Sequence, residues 1–266
     1  MFGLPDTYTI RARIFPALLA ALPGLALAAV MVSWRQLGLS HVIATGAAMV
    51  LLYAFSDLAR RFGKDLESGL FKCMGGKPST AMLRYRDQQF DADTKSRWLD
   101  FLSGKIGVKP PTATTEGTDA ADADTFYDRC GDWLRENTRD QKKFKLIFKE
   151  LVTYGFRRNL LGLKWPGLAL NALVAIICVI ALLFRLPFSA DDNLMVRLDY
   201  VLIVATCRGL YFLLAVNEKA AMEAAKQYGR QLLLACDTLM GPPPSARAAK
   251  KAKKKTGEKE VVEVAS

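Results

Sequence analysis

Four apolar segments, each about as long as a bilayer is thick, constrain this chain more than any other feature. A bilayer core of about 30 Å requires about 20 mostly apolar residues in a helix. The segments are residues 14–34, 39–55, 165–184 and 198–216. Apolar runs in buried helices of soluble proteins are shorter, commonly about 10–14 residues, so we expect four transmembrane helices.

Basic residues are concentrated at alternate ends of these segments. They precede the first and third and follow the second and fourth: Arg11, Arg13, Arg60, Arg61, Lys64, Arg157, Arg158, Lys164, Lys219 and Lys226. Positively charged flanks stay in the cytoplasm, so the sequence predicts a multi-pass protein of the cytoplasmic (inner) membrane with both termini inside. The lipid bilayer is therefore the first expected partner.

The first segment has a second interpretation, a cleaved signal peptide. Arg11 and Arg13 precede the apolar run, and 26–28 reads as a small-residue cleavage site. However, the run continues to Trp34, which is longer than a signal peptide needs. We expect a retained span, and both interpretations leave the other three segments unchanged.

The expected fold class is an all-α integral membrane protein with four transmembrane helices. Residues 1–56 and 165–216 form two transmembrane hairpins, and residues 57–164 form an all-helical cytoplasmic module between spans 2 and 3. Residues 217–240 extend the fourth span as a cytoplasmic helix, and residues 241–266 form a disordered polybasic tail. Spans 2 and 4 are both expected to continue into the cytoplasm as uninterrupted helices.

Capping residues divide the cytoplasmic module into helices. We expect Ser79 or Thr80 to begin a helix that includes Phe90, and Asp93 or Thr94 to begin the next. Residues 109–117 read as an irregular loop before a cap at Thr118 or Asp119. No window alternates apolar and polar residues for long enough to indicate a strand.

Motifs of known chemistry are missing from the sequence. The chain has one histidine, His41, and its five cysteines include no C-x-x-C pair, so we expect no metal site. The segment 75–79 has a proline where a phosphate-binding loop needs Ser or Thr after its lysine. We therefore expect no cofactor and assign no catalytic residue, and an enzyme acting at the membrane surface is the least favoured of three functional classes.

Arg208 is the clearest anomaly because it lies inside the fourth apolar segment. It follows Arg197 by eleven residues, which places it about 16 Å into a helix. A charge near mid-bilayer costs at least about 2.5–3.5 kcal/mol, so it should face the bundle interior, a partner or water. Two interpretations remain open: a pore-lining or voltage- or anion-sensing residue, or a satisfied contact that holds the bundle together.

Several polar groups are candidate partners for Arg208. Asn171 in the third span is the first, and Asn171 and Arg208 together are the intramembrane polar or pore candidates. Thr45, Thr206 and an acidic group of another subunit are the alternatives.

A second set of candidates lies at the membrane boundary. Aromatic, basic and glycine residues gather around 154–165, where they form either an elbow that couples the module to the spans or an ordinary interfacial anchor. The predicted coupling residues are Arg60, Arg61, Arg157, Arg158, Lys164 and Trp165.

The tail supplies a third set. Lys250, Lys251, Lys253, Lys254 and Lys255 would each contribute about 1 kcal/mol near anionic lipid. The tail has no aromatic residue for base stacking, so no sequence-specific nucleic acid is expected as a partner.

These observations favour an oligomeric four-span effector or channel-like protein. Its module would sense a cytoplasmic protein or a small-molecule ligand, which the sequence does not identify, and alter membrane permeability. Four spans cannot enclose a wide pore alone, so this function requires a homo-oligomer. The alternative is a non-enzymatic integral-membrane scaffold or assembly factor that holds cytoplasmic partners at the bilayer.

Overall fold

The computed structural model describes residues 6–31, 41–184 and 194–241, with the side chains of 41–45, 47 and 48 left out. The described residues are helical and contain no strand, as the sequence predicts. The helices are α1 (Thr7–Met31), α2 (His41–Cys73), α3 (Pro78–Leu83), α4 (Ala92–Ile106), α5 (Ala113–Thr118), α6 (Ala120–Asn137), α7 (Lys145–Gly162), α8 (Lys164–Phe184), α9 (Leu194–Leu214) and α10 (Glu218–Met240).

The chain divides into two compact units. Unit 1 consists of Met1–Gly76 and Phe148–Tyr228, and unit 2 consists of Lys77–Ile147 and Gly229–Ser266. The predicted module, 57–164, is therefore larger than the central part of unit 2. Its two ends belong to unit 1 because Leu70 and Leu160 pack in one core cluster with Ala20 of the first apolar segment.

Unit 1 carries the helices that are suited to a membrane. By length and composition α1 and α8 can each cross a bilayer, and the bent pair of α9 and α10 counts as a third candidate. The predicted span 39–55 lies partly outside the described residues. The turn 35–38 lies wholly outside them, and so does most of the loop 185–197. The structure therefore supports two or three membrane-compatible helices.

The second apolar segment does continue as one helix, since α2 runs for 33 residues from His41 to Cys73. The prediction that span 4 continues without a break is wrong. The helix ends at Leu214, and α10 begins at Glu218 after a bend of 63°. Asn217 starts the new helix because its side-chain oxygen accepts a hydrogen bond from the Ala220 N–H, 2.9 Å away.

A seam of buried residues joins α8 to α9. Gly167, Val174, Cys178 and Ala181 are buried on α8, and Leu194, Leu198, Val201, Ala205, Arg208 and Phe212 are buried on α9. Nearly all of these residues follow one another at intervals of three or four, which is the spacing that keeps one face of each helix against the other. The end of α1 packs on this seam through Ala26, Leu27 and Val30.

Unit 2 is a helical bundle with a conventional core. Trp98, Tyr127 and Leu134 are fully buried, and Asp119 caps α6 as predicted. Three expectations for this region are wrong. The helix α3 begins at Pro78 and ends before Phe90, the cap of α4 is Asp91, and Thr112 starts a short helix within the predicted loop.

The surfaces of the two units differ in polarity. Among the described residues, every large hydrophobic side chain that is exposed belongs to unit 1, apart from Tyr85 and Leu146. Soluble proteins rarely expose large apolar patches, whereas the surface that a protein turns to lipid is apolar. The polar surface of unit 2 suits water.

The five cysteines are free, and their burial predicts a labelling pattern. Cys73 and Cys207 are exposed, whereas Cys130, Cys178 and Cys236 are buried. Burial raises the pKa of the Cys130 thiol to about 12, which removes the reactive thiolate at neutral pH. We expect maleimide to modify Cys73 rapidly in the detergent-solubilised protein, and Cys130 and Cys236 only after denaturation, as measured by mass spectrometry of the peptides.

Candidate functional site

Arg208 lies in the interior of unit 1 and binds backbone carbonyl groups of two other helices. Only 5% of the accessible surface of Arg208 is exposed. On α1, Nε donates to the Leu19 carbonyl at 3.2 Å and Nη2 to the Ala20 carbonyl at 3.0 Å, and on α8 Nη1 donates to the Gly167 carbonyl at 2.5 Å. The guanidinium carbon also lies 3.7 Å from the centre of the Phe212 ring. One side chain therefore holds α1, α8 and α9 together.

Pro23 explains why one of these carbonyls needs an external donor. In an α-helix the carbonyl of residue i accepts the N–H of residue i+4, and Pro23 lies four residues after Leu19 inside α1. Proline has no backbone N–H, so the Leu19 carbonyl loses its helical partner. Arg208 Nε supplies the missing hydrogen bond.

Gly167 allows α8 to come close enough for the third contact. A Cβ atom at this position would collide with Arg208 Nη2 and lie 3.2 Å from the Phe212 ring. The guanidinium therefore occupies the space that a side chain at residue 167 would fill. Helices inside membranes commonly approach one another at such small residues.

The partners predicted for Arg208 are not the ones that the structure has. Within the described residues no carboxylate lies within 4 Å of the guanidinium. The Thr206 hydroxyl donates to the Leu202 carbonyl, and the side chain of Thr45 lies outside the described residues. Asn171 packs against Gly209, and its buried Oδ1 has no hydrogen-bond partner there.

The bounds of α9 place Arg208 nearer to one end of its helix than the predicted segment 198–216 does. The helix α9 begins at Leu194 and ends at Leu214, so Arg208 lies about 21 Å from its start and about 9 Å from its end. Arg208 is therefore nearer the C-terminal end of α9. Just beyond that end, Lys164 Nζ donates a hydrogen bond to the Val216 carbonyl at 2.7 Å.

A second buried cluster forms around Arg158, one of the predicted boundary residues. Glu67 Oε1 on α2 accepts hydrogen bonds from Arg158 Nη1 at 2.9 Å and from the Tyr154 hydroxyl at 2.6 Å, both on α7. Burial opposes ionisation of Arg158, but the Glu67 carboxylate reverses this and holds the pKa of the guanidinium above its usual value. Burial, reinforced by Glu67, raises the pKa of the Tyr154 phenol, which therefore stays a donor.

The same cluster reaches α1 through Asn159. Arg158 Nε and Nη2 each donate to Asn159 Oδ1 at 3.3 Å, and Asn159 Nδ2 donates to the Ala12 carbonyl at 2.6 Å. Ala12 belongs to a π-helical segment, Ile10–Ile14, where the backbone departs from the regular α pattern. Chain segments far apart in sequence are thus tied by one satisfied polar network.

The other predicted boundary residues are spread over the surface of unit 1. Arg61 Nε pairs with Asp57 at 2.8 Å on the exposed side of α2. Arg60 and Arg157 are half-buried and take no part in the Glu67 cluster, whereas Trp165 is 74% exposed. Lysines 250, 251, 253, 254 and 255 lie outside the described residues.

Sequence reasoning missed most of the partners in both clusters. Glu67 and Arg158 are 91 positions apart, so no local pattern connects them. Pro23 was the one available signal, because a proline inside an apolar helix frees the carbonyl four residues earlier. In the part of the chain that the structure describes, no group of three or more His, Cys, Asp or Glu side chains is arranged to hold a metal ion.

Removing the Tyr154 hydroxyl tests the second cluster. We expect Tyr154→Phe to lower the free energy of unfolding by about 1–2 kcal/mol, because the half-buried Glu67 carboxylate loses one of its two donors. The melting temperature in detergent should fall by about 2–8 °C. Tyr200→Phe is the matched control, since Tyr200 is 65% exposed and should change the melting temperature little. Equal melting temperatures for the two variants would show that the hydroxyl contributes nothing.

Comparison of the chain with known protein families, with curated proteins and with solved structures gave no match. The functional argument therefore depends on the residues themselves.

Proposed function

We propose that this chain is a non-enzymatic integral-membrane scaffold that holds cytoplasmic partners at the bilayer. In this proposal it crosses the cytoplasmic (inner) membrane four times, with both termini and unit 2 inside. Unit 2 and the lysine-rich tail present the surface that partners bind. The chain is expected to form a homo-oligomer, and the scaffold function does not require a pore.

The state of Arg208 is the observation that carries this proposal. A pore-lining or sensing arginine needs contact with water, with a permeant ion or with a movable counter-charge. The Arg208 guanidinium instead donates to three carbonyls and stacks on Phe212 within one protomer. This arrangement supports a role in fixing the helices rather than in permeation.

The polarity of the surfaces supports the same proposal. Exposed apolar side chains are concentrated in unit 1, and the described surface of unit 2 carries almost none. An apolar unit suits anchoring, and a polar helical unit suits contact with hydrophilic partners.

Ion flux across liposomes is the first test. The purified full chain, sized in detergent, is reconstituted beside an Arg208→Ala variant and beside protein-free vesicles. A scaffold predicts flux equal to that of empty vesicles for both proteins. It also predicts that a mild-detergent purification from cells recovers a stable protein complex, which a variant lacking residues 242–266 or carrying altered unit 2 surface charges would lose.

The oligomeric effector or channel-like function is the second candidate, and Asn171 is the observation that favours it. Its Oδ1 is buried without a partner one helical turn beyond Gly167 on α8. A buried polar atom without a hydrogen-bond partner is costly. A different packing of α8 and α9 would give the Asn171 Oδ1 atom a partner and remove this cost. Flux above the empty-vesicle level that depends on Arg208 and Asn171 would establish this function and overturn the scaffold proposal.

A further inference from the structure

A groove on the surface of unit 1 combines apolar walls with charges of both signs. Its volume is about 300 Å³, at the lower end of the range for ligand sites. Phe62 and Leu66 of α2 form one wall, and Trp165 at the start of α8 forms another. The charged groups that line it are Asp65, Lys164 and Glu218.

The apolar wall continues beyond the groove along α2. Leu58, Phe62 and Leu66 are all exposed and follow one another at four-residue intervals, which places them on one face of the helix. Trp165 is 74% exposed beside this face, and tryptophan is enriched where a membrane meets water. The groove therefore has the composition of a boundary site, with an apolar strip on which acyl chains can lie.

The charged groups are available for a ligand. Within the described residues neither Asp65 nor Glu218 has an ion-pair partner within 4 Å. Lys164 Nζ donates one hydrogen bond, to the Val216 carbonyl, and keeps two further N–H groups. Two carboxylates and one ammonium give the groove a net negative charge, while the two remaining N–H groups of Lys164 can donate to an anion.

We propose that this groove binds the headgroup of an amine-bearing zwitterionic phospholipid, phosphatidylethanolamine. The primary ammonium of the headgroup donates to Asp65 and Glu218, the phosphate accepts from Lys164, and the acyl chains lie along Leu58, Phe62 and Leu66. A lipid with a net negative headgroup is repelled by the two uncompensated carboxylates. A choline headgroup has no N–H to donate to them. The anionic lipid and the choline lipid are therefore both expected to bind less well. The inference rests on the proposed membrane location but on neither the scaffold nor the channel-like function.

Native mass spectrometry of the detergent-solubilised full chain tests this directly. Short-chain phosphatidylethanolamine, phosphatidylcholine and phosphatidylglycerol are titrated separately, with free phosphoethanolamine as a fourth probe. We expect phosphatidylethanolamine to bind about tenfold more tightly than the other two lipids, the value of one charge-assisted hydrogen bond. Free phosphoethanolamine should bind more weakly than the lipid because it lacks the acyl chains.

The double variant Asp65→Asn, Glu218→Gln should lose this preference and bind the three lipids alike. Asp199→Asn is the matched control, because it removes a carboxylate of unit 1 that does not line the groove, and it should keep the preference. Equal binding of the three lipids by the unaltered chain, or a preference that survives the double variant, would overturn the proposal. Because the readout is lipid binding in detergent, neither result depends on flux or on a protein partner.

Discussion

Arg208→Ala is expected to lower the melting temperature of the detergent-solubilised protein by about 4–12 °C, corresponding to about 2–3 kcal/mol. The Ala20 and Gly167 carbonyls keep the N–H partners that a regular helix supplies. The Leu19 carbonyl does not, because Pro23 has no N–H to offer. The variant therefore leaves one buried carbonyl without any donor, which is costly where water is absent.

A double-mutant cycle with Pro23→Ala separates this explanation from a general loss of packing. Alanine at residue 23 restores the N–H that the Leu19 carbonyl lacks. In the Arg208→Ala background we therefore expect Pro23→Ala to recover about 1–2 kcal/mol. In the unaltered chain the same substitution should be neutral or destabilising, since Pro23 is buried and its ring fills space.

Two further variants complete the comparison. Arg208→Lys keeps the charge, but a single ammonium cannot reach three carbonyls on two helices, so we expect at most partial recovery. Arg11→Ala is the control for loss of an arginine, because Arg11 is exposed on α1. Additive effects of Pro23→Ala and Arg208→Ala would contradict the carbonyl explanation.

The helical architecture could be predicted from the sequence because it depends on local patterns. Apolar length and helical spacing identified α1, α8 and α9, and the end of the third segment at Phe184 coincides with the end of α8. The sequence predicts the cap at Asp119, whereas the helix α4 is capped by Asp91 rather than by the expected Asp93 or Thr94. These features follow from interactions between residues close in sequence.

The contacts of the candidate sites depend on tertiary packing and were not predictable in the same way. Arg208 is recognisable as an anomaly from its position alone, but its partners are backbone carbonyls, which carry no residue-specific signal. The break between α9 and α10 was not predicted, although Asn217 is a residue type that favours helix N-termini and its side chain caps α10. For the Arg208 contacts Pro23 is a local clue, since its effect on the preceding turn is independent of the rest of the fold.

Gly162→Ala is the second variant for which we expect a large effect, a loss of about 3 kcal/mol and a fall in melting temperature of about 6–12 °C. The helices α2 and α7 pack backbone against backbone at this point. A Cβ atom at residue 162 would lie 2.5 Å from the Gly63 amide nitrogen and 2.7 Å from the Phe62 carbonyl carbon. Backbone atoms cannot rotate away as a side chain can, so the helices must separate.

Separation of these helices would also pull apart the polar network that crosses the same contact. Glu67 lies one turn after Gly63 on α2, and Arg158 and Asn159 lie one turn before Gly162 on α7. We therefore expect Gly162→Ala and Tyr154→Phe to be less than additive when combined, because the first variant already weakens the bond that the second removes.

Gly69→Ala provides a matched control of opposite sign. Gly69 lies in the same helix as Gly63, is exposed, and has no atom within 4 Å of the position that a Cβ would take. Alanine there relieves the entropic cost of glycine within a helix, so we expect stabilisation of about 0.5–1 kcal/mol. A melting temperature for Gly162→Ala as high as that for Gly69→Ala would contradict this explanation. The close approach of α2 and α7 would then not be the contact that positions Glu67 against Arg158, and the second cluster would have to form by a different packing of these helices.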